Sequence, residues 1–118
     1  MVVPRGPDGH YHLQLDINGQ SISFMVDTGA SNIVLSPADA ASLGIDPASL
    51  RFLGSAETAN GTVRTARVTL PSVTLGPYHD TDLRAYVNEA DMQGSLLGMD
   101  YLGLFSISIQ GDQMILQR

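Results

Sequence analysis

Twelve carboxylates are spread through the 118 residues, and Asp27 is the one whose setting asks for chemistry. It stands between the apolar runs Phe24-Met25-Val26 and Ile33-Val34-Leu35, so both of its flanks belong in a core. A carboxylate at the end of a buried strand costs on the order of several kcal/mol unless it is hydrogen-bonded or shares a proton. Its neighbours offer compensation. Gly29 permits a tight turn that brings backbone N–H groups to the acid. Thr28 adds a hydroxyl beside it, and Ala30 is small enough to let a substrate approach. The plain alternative is a turn aspartate bonded to its own backbone, and the apolar runs on both sides argue against it.

Other candidates are weaker. Asp100 could be imagined as a second acid, but a helix-cap or surface role suits its context better. His10, His12 and His79 could suggest a metal. His10 and His12 share a strand face but have no third ligand near them in sequence, so a solvated face is the better reading. Asp80 and Asp82 read as a polar turn, and Tyr78 and Tyr86 as packing or rim residues. Cysteine is absent, which removes disulfides, thiol nucleophiles and thiolate metal sites. All six basic residues are arginines, so Schiff-base chemistry and a phosphate-loop lysine are missing as well. With a net charge of −6 and dispersed arginines, the chain has no phosphate-neutralising surface, and nucleic acid is a poor partner.

The elements around Asp27 read as strands. From His10 to Ile17, Tyr11, Leu13, Leu15 and Ile17 alternate with polar residues, the period of a half-buried strand. Asn18-Gly19 is a two-residue hairpin signal. The next strand carries Ile22, Phe24 and Val26 inward and ends at Asp27. After Ile33-Val34-Leu35, a helix of about two turns is expected. Ser36 is its cap, Pro37 its first residue, Asp39 aligns with its dipole and Gly44 stops it. Two strand-like stretches flank Asn60-Gly61 between Arg51 and Leu75. Gly76-Pro77 breaks the chain, and Leu83, Ala85 and Val87 alternate again. A short buried run, Leu96-Leu97-Gly98, leads to a helical turn from Met99 to Leu104. Phe105, Ile107 and Ile109 alternate, and a turn at Gly111-Asp112 leads to a last strand from Met114 to Gln117.

The 43% hydrophobic and 15% charged fractions are those of a compact globular chain. Its length suits one domain over residues 1–118, with a core from about 10 to 117. Met1-Val2-Val3-Pro4-Arg5 would suit the edge of a domain within a longer protein. No apolar run approaches the roughly 18 residues of a membrane helix, no signal peptide is visible, and membrane contact by this domain is not expected. The fold class is all-β, with one or two short helices.

Phe24-Met25-Val26-Asp27-Thr28-Gly29-Ala30-Ser31 resembles the catalytic loop of aspartic proteases. Leu96-Leu97-Gly98-Met99-Asp100-Tyr101-Leu102 resembles their second conserved segment, and Thr58-Ala59-Asn60-Gly61-Thr62 lies where they carry the flap hairpin. The likeness runs from about His10 to Gln117 and is nearest to the bacterial retropepsin-like group, some of which are periplasmic or membrane-tethered. It implies a small barrel working as a homodimer, because one chain carries a single Asp-Thr-Gly and the chemistry needs two carboxylates that share a proton. It further implies an aspartic endopeptidase that acts on extended polypeptide, with no metal and no covalent intermediate. Asp27, Thr28 and Gly29 form the catalytic loop in this resemblance, with Thr28 bonding across the interface. Ala30 and Ser31 line the cleft, and Ala59, Asn60, Gly61 and Thr62 cover the substrate. Ser31 and Met99 occupy the places of an acid and an arginine that pair in viral members, so dimer stability is expected to come from elsewhere. The competing reading is a dimeric peptide-binding or scaffold domain of the same fold without turnover. The intact Asp27-Thr28-Gly29 speaks against it.

Overall fold

The computed structural model describes residues 1–58 and 61–118. Strands β2 (His12–Ile17) and β3 (Gln20–Val26) pair antiparallel, from Ile17↔Gln20 to His12↔Met25. Asn18 and Gly19 between them take φ of 53° and 86°, as a type I′ turn requires. The Gly19 N–H donates to Asp16 Oδ1 at 2.7 Å and fixes the corner. Leu13, Leu15, Ile17, Ile22 and Phe24 are all buried, so the period-2 pattern sets which face of the hairpin turns inward.

The hairpin is part of a closed ring. β8 (Ser95–Leu97) lies parallel to β3. β4 (Val34–Leu35) lies antiparallel to β8 and parallel to β7 (Tyr78–Asn88). β7 pairs antiparallel with the long β6 (Gly61–Leu75), which returns to β2 through Asp16↔Thr74 and Ile17↔Val73. These six strands form a barrel, and β5 (Gly54–Thr58) extends β6 as a hairpin arm. Phe24, Ile33, Leu35, Leu70, Val73, Ala85, Val87 and Leu97 fill the interior.

Helix α1 (Pro37–Ser42) begins as its sequence predicts. Ser36 Oγ accepts from the Asp39 N–H at 3.1 Å, a cap worth about 1 kcal/mol, and Gly44 follows the helix at φ 81°. The buried Ser95 hydroxyl donates to Asp39 Oδ2 at 2.5 Å and accepts from the Ser36 N–H at 3.0 Å. This network ties α1 to β8. Helix α2 (Met99–Leu102) is a single turn that follows Gly98. A second sheet has the order β1-β10-β9, formed by β1 (Val2–Pro4), β10 (Gln113–Gln117) and β9 (Ser106–Gln110).

Three details depart from the sequence expectations. Val2–Pro4 forms a strand, because β10 gives it a partner from the other end of the chain. Asp80 and Asp82 lie within β7 and not in a turn. Asp80 pairs opposite Val73, and its carboxylate accepts two hydrogen bonds from Arg118 at 2.5 and 3.0 Å. Asp82 has φ 55° and falls where the ladder skips a pair, across from Pro71, which has no N–H to donate. The alternation from Phe105 fades outward: Phe105 is buried, whereas Ile109 is 62% exposed near the end of β9.

Phe105 packs edge-on against Tyr78 at 5.1 Å and tilted against Tyr101 at 5.3 Å, and the Arg118 guanidinium lies 4.4 Å from its ring centre. The Tyr101 hydroxyl is buried without a hydrogen-bond partner among the described residues, and burial pushes its pKa up to about 12. A buried polar atom left unpaired opposes folding. Tyr101→Phe is therefore expected to hold or raise stability, by up to about 1 kcal/mol in urea titration. A clear loss would mean that this hydroxyl has a partner.

Candidate active site

Asp27 is the first residue after β3, and the neighbouring strand fixes its position. Its N–H donates to the Leu97 carbonyl of β8 at 3.0 Å, and its own carbonyl accepts from the Ala30 N–H at 3.1 Å. The chain thus leaves the barrel wall in a tight turn, and the Gly29 N–H donates to Asp27 Oδ1 at 2.9 Å. A Cβ on Gly29 would lie 3.3 Å from that oxygen, closer than a side chain there would sit at ease. Glycine therefore fits this position through close approach to the acid. Asp27 is half-buried, Ala30 is half-buried, and Thr28, Gly29 and Ser31 are exposed. The Thr28 hydroxyl makes no hydrogen bond among the described residues. One face of the loop is bound to the barrel and the other is open.

The bound face is held by a segment nearly 70 residues away in sequence. Gly98 packs directly on the loop: a Cβ on it would clash with the Asn32 amide nitrogen and come within 2.5 Å of the Asn32 carbonyl oxygen and 2.8 Å of that of Ala30. The next two residues donate into the same stretch, Met99 N–H to the Ala30 carbonyl at 2.9 Å and Asp100 N–H to the Ser31 carbonyl at 3.0 Å. Asp100 Oδ2 then accepts from the Ile33 N–H at 3.3 Å, while the Ile33 carbonyl accepts from Tyr86 of β7 at 2.9 Å. Asp100 is in the first turn of α2, where its carboxylate also meets the Tyr101 amide. It reaches back as well to the end of the Asp27 loop, a contact that no local pattern in the sequence reveals.

Gly61 and Thr62 lie at the outer end of the β5–β6 arm. Gly61 pairs with Thr58 and has φ 110°, and its carbonyl accepts from Thr58 Oγ1 at 2.7 Å. Thr62 Oγ1 donates to Glu57 Oε1 at 2.6 Å. Ala59 and Asn60 lie outside the described residues. All of β5 is exposed, as are Gly61 and Thr62, so the arm buries neither face of its end against its own chain. No hydrogen bond joins it to the Asp27 loop among the described residues. His12 pairs with Asp8 at 2.8 Å, and the His79 ring shares a hydrogen bond with Thr74 at 2.8 Å.

Two surface concavities lie away from Asp27. One, of about 260 Å³, is lined by Asn32, Ile33, Leu83, Arg84, Asp100 and Tyr101, behind the loop. The other, of about 460 Å³, is bordered by Leu50, Phe52 and the Arg64–Glu89 ion pair. Neither is lined by Asp27.

A closed six-stranded barrel, with an Asp-Thr-Gly turn braced by a crossing Leu-Leu-Gly strand, is the retropepsin-like fold. The chain belongs to the family described as gag-polyprotein putative aspartyl protease, which matches residues 13–103. The crystal structure of a retropepsin-like aspartic protease from Rickettsia conorii superposes with a TM-score of 0.89 at 38% identity, covering 98% of this chain and 88% of that one. The EIAV protease, complexed with the inhibitor HBY-793, shares the fold at a TM-score of 0.68 and 20% identity, covering 83% of this chain and 89% of that one. Among curated proteins, one from Sinorhizobium is 36% identical over 119 residues, covering 99% of this chain and 51% of the relative. One from Rickettsia prowazekii (strain Madrid E) is 37% identical over 117 residues, covering 98% and 50%. Both of these relatives are themselves named as uncharacterized proteins, and the chain spans about half the length of each.

Two predictions follow from the bracing of the loop. Gly98→Ala forces apart two backbones that now touch, and should cost about 1–3 kcal/mol in denaturant unfolding; unchanged stability would mean that the contact is loose. The second concerns pH. Burial raises the Asp100 carboxyl above its ordinary value of 3.8, with the amide hydrogen bonds opposing the shift. A raised folded pKa means the folded chain binds this proton more tightly than the unfolded chain. Asp100 therefore costs stability progressively as pH climbs from about the ordinary value through the raised one. Asp100→Asn should match wild type in melting temperature near pH 3 and exceed it at neutral pH; parallel curves would contradict this.

Proposed function

We propose that the chain is one half of a homodimeric aspartic endopeptidase and that Asp27 supplies one carboxylate of a shared dyad. The observation that carries this reading is the half-site. One acid is held by the Gly29 N–H, with its loop braced from behind and open in front. Two such loops meeting on a two-fold axis bring two carboxylates together, and like charges at that distance favour a single shared proton. The ionised acid takes a proton from water as the water oxygen adds to the peptide carbonyl carbon, and the protonated acid gives its proton to the carbonyl oxygen. Collapse of the tetrahedral species breaks the C–N bond as the amine nitrogen is protonated. No metal is needed and no bond forms to the protein.

Several features support the remaining roles. The Thr28 hydroxyl is free to bond across the axis to the partner loop. The outer end of the β5–β6 arm, exposed on both faces, suits a cover for an extended peptide; Gly61 and Thr62, with Ala59 and Asn60 before them in sequence, would contact the substrate from above, and Ala30 and Ser31 from the floor. Main-chain hydrogen bonds would supply most of the hold on the substrate. For the dimer contact, β9 is a free edge that reads Ser-Ile-Ser-Ile-Gln without a charge, whereas the other edge of its sheet, β1, is short and ends in Pro4. An uncharged free edge is a site for pairing with another chain. Met99 and Leu104, each 45% exposed, together with Ile109 put apolar surface on the same segment.

The test is cleavage of an unstructured protein between pH 3 and 8 by wild type and Asp27→Asn. Loss of at least about a thousandfold in the variant is expected, and equal cleavage by both would sink the dyad. No cleavage by either would favour a dimeric peptide-binding scaffold. Specific activity should fall on dilution, because a lone chain has one acid. The chain has no native cysteine, so Ser108→Cys on β9 should cross-link two copies under oxidation if the edges pair; its failure to do so would remove β9 from the interface.

A further inference from the structure

The segment from Ala30 to Ile33 carries the chain from the catalytic turn into β4, and two successive residues, Met99 and Asp100, hold it from behind by three links. Met99 and Asp100 donate backbone N–H groups to the carbonyls of Ala30 and Ser31. These two bonds depend on main-chain geometry alone. The third link is made by a side chain: Asp100 Oδ2 accepts the Ile33 N–H at 3.3 Å, across 67 residues. Ile33 is itself buried, and its carbonyl is fixed from the other side by Tyr86. The Asp100 carboxylate is therefore the only side chain that clamps the exit of the loop from the α2 side among the described residues.

We infer that Asp100 is a positioning residue for Asp27, acting through the Ile33 peptide, so that the direction in which the loop leaves the barrel is set by this carboxylate. The inference rests on the protease reading above. The link spans both ends of the turn. Asp27 N–H is anchored to Leu97, and three residues later in β8–α2 Asp100 anchors Ile33. A single rigid stretch, 97–100, thus grips the first and last peptides of the turn. Without the carboxylate the Ile33 N–H loses its anchor while the carbonyls of Ala30, Ser31 and Ile33 keep theirs, so the Ile33 peptide can tilt; displacement on the scale of about 1 Å is enough to impair a reaction that depends on aligned groups.

The environment of Asp100 agrees with this role. It lines the 260 Å³ concavity behind the loop, and the charged group facing it there is Arg84 of β7. Arg84 makes no ion pair of its own among the described residues, so it offers Asp100 long-range attraction without pulling it off the Ile33 N–H. Its carboxylate stands at the solvent-exposed start of α2, and the donors around it are backbone amides, that of Ile33 first among them. Protonated or ionised, a carboxyl keeps a lone pair for an N–H donor, and an asparagine amide oxygen can do the same. Charge is therefore not what the clamp needs.

That distinction sets the experiment. Asp100→Ala removes the acceptor and Asp100→Asn keeps it. In the full chain, amide exchange followed by NMR should show Ile33 exchanging at least about tenfold faster in the alanine variant, and within about threefold of wild type in the asparagine variant. In the cleavage assay, kcat should fall about tenfold or more for alanine, with KM within about twofold, and asparagine should restore it. Should alanine fail to fold, Asp100→Ser, whose hydroxyl is too short to reach, takes its place with the same expectations. Wild-type exchange at Ile33 in the alanine variant overturns the assignment. So does equal impairment by alanine and asparagine, and so does a lowered melting temperature with wild-type kcat in the folded enzyme. If no form cleaves any substrate, the protease reading fails, and the Ile33 exchange still decides whether Asp100 holds the loop.

Discussion

Two backbones cross without side chains between them where Gly98 meets Asn32 and Ala30, and the site depends on that contact. The carbonyls of Ala30 and Ser31 face away from the open side of the loop and need donors. Met99 and Asp100, the first residues of α2, supply them because Gly98 lets the crossing segment come close. A methyl group at this point would separate the chains and strand both carbonyls. The barrel exists around this crossing: β3 and β8 run parallel to bring Val26 and Leu97 level, and Asp27 then hangs from Leu97 by its own N–H. The Asp-Thr-Gly turn is thus an extension of sheet geometry, and its precision is that of a strand and not of a free loop.

Much of this was legible from residue order, and the reasons are local. Asn18-Gly19 could be placed because two successive positive φ values suit few residue pairs. α1 could be placed because Ser36, Pro37 and Gly44 each serve one end of a helix for a separate physical reason. Asp27 stood out because a charge between apolar strands is costly wherever it sits. What could not be read was long-range. β1 is three residues with no pattern of its own and exists only because β10 lies beside it. The polar stretch at Asp80 and Asp82 looked like a turn, since nothing nearby announced that Arg118 would pair with Asp80 from the chain's far end. Asp100 sits exposed at a helix start, as its local context indicates, but nothing nearby announces its second contact, 67 residues back.

Ile109 shows a different limit. Alternation identifies which face of a strand is apolar but not how far the core extends beneath it. Along β9 the pattern keeps its phase while burial ends, leaving an isoleucine in solvent on an uncharged edge. A chain that worked alone would gain by placing a charge or proline there, since exposed edges invite pairing. Its other sheet edge carries Pro4. The two edges therefore differ in kind: one ends in proline, and the other is uncharged and carries an exposed isoleucine.

The same reasoning applies to the acid. Among the described residues, only one oxygen of Asp27 receives a backbone donor. A purely structural aspartate in a turn would gain by satisfying both oxygens, and the usual solution is a side-chain donor close by. Thr28 is such a donor, yet its hydroxyl makes no hydrogen bond among the described residues and is exposed beside the carboxylate. Holding one oxygen by a backbone donor fixes the acid in place without closing the loop over it. That arrangement is poor for stability and suits the shared dyad proposed above, and the contacts from Gly98 to Ile33 are what maintain it.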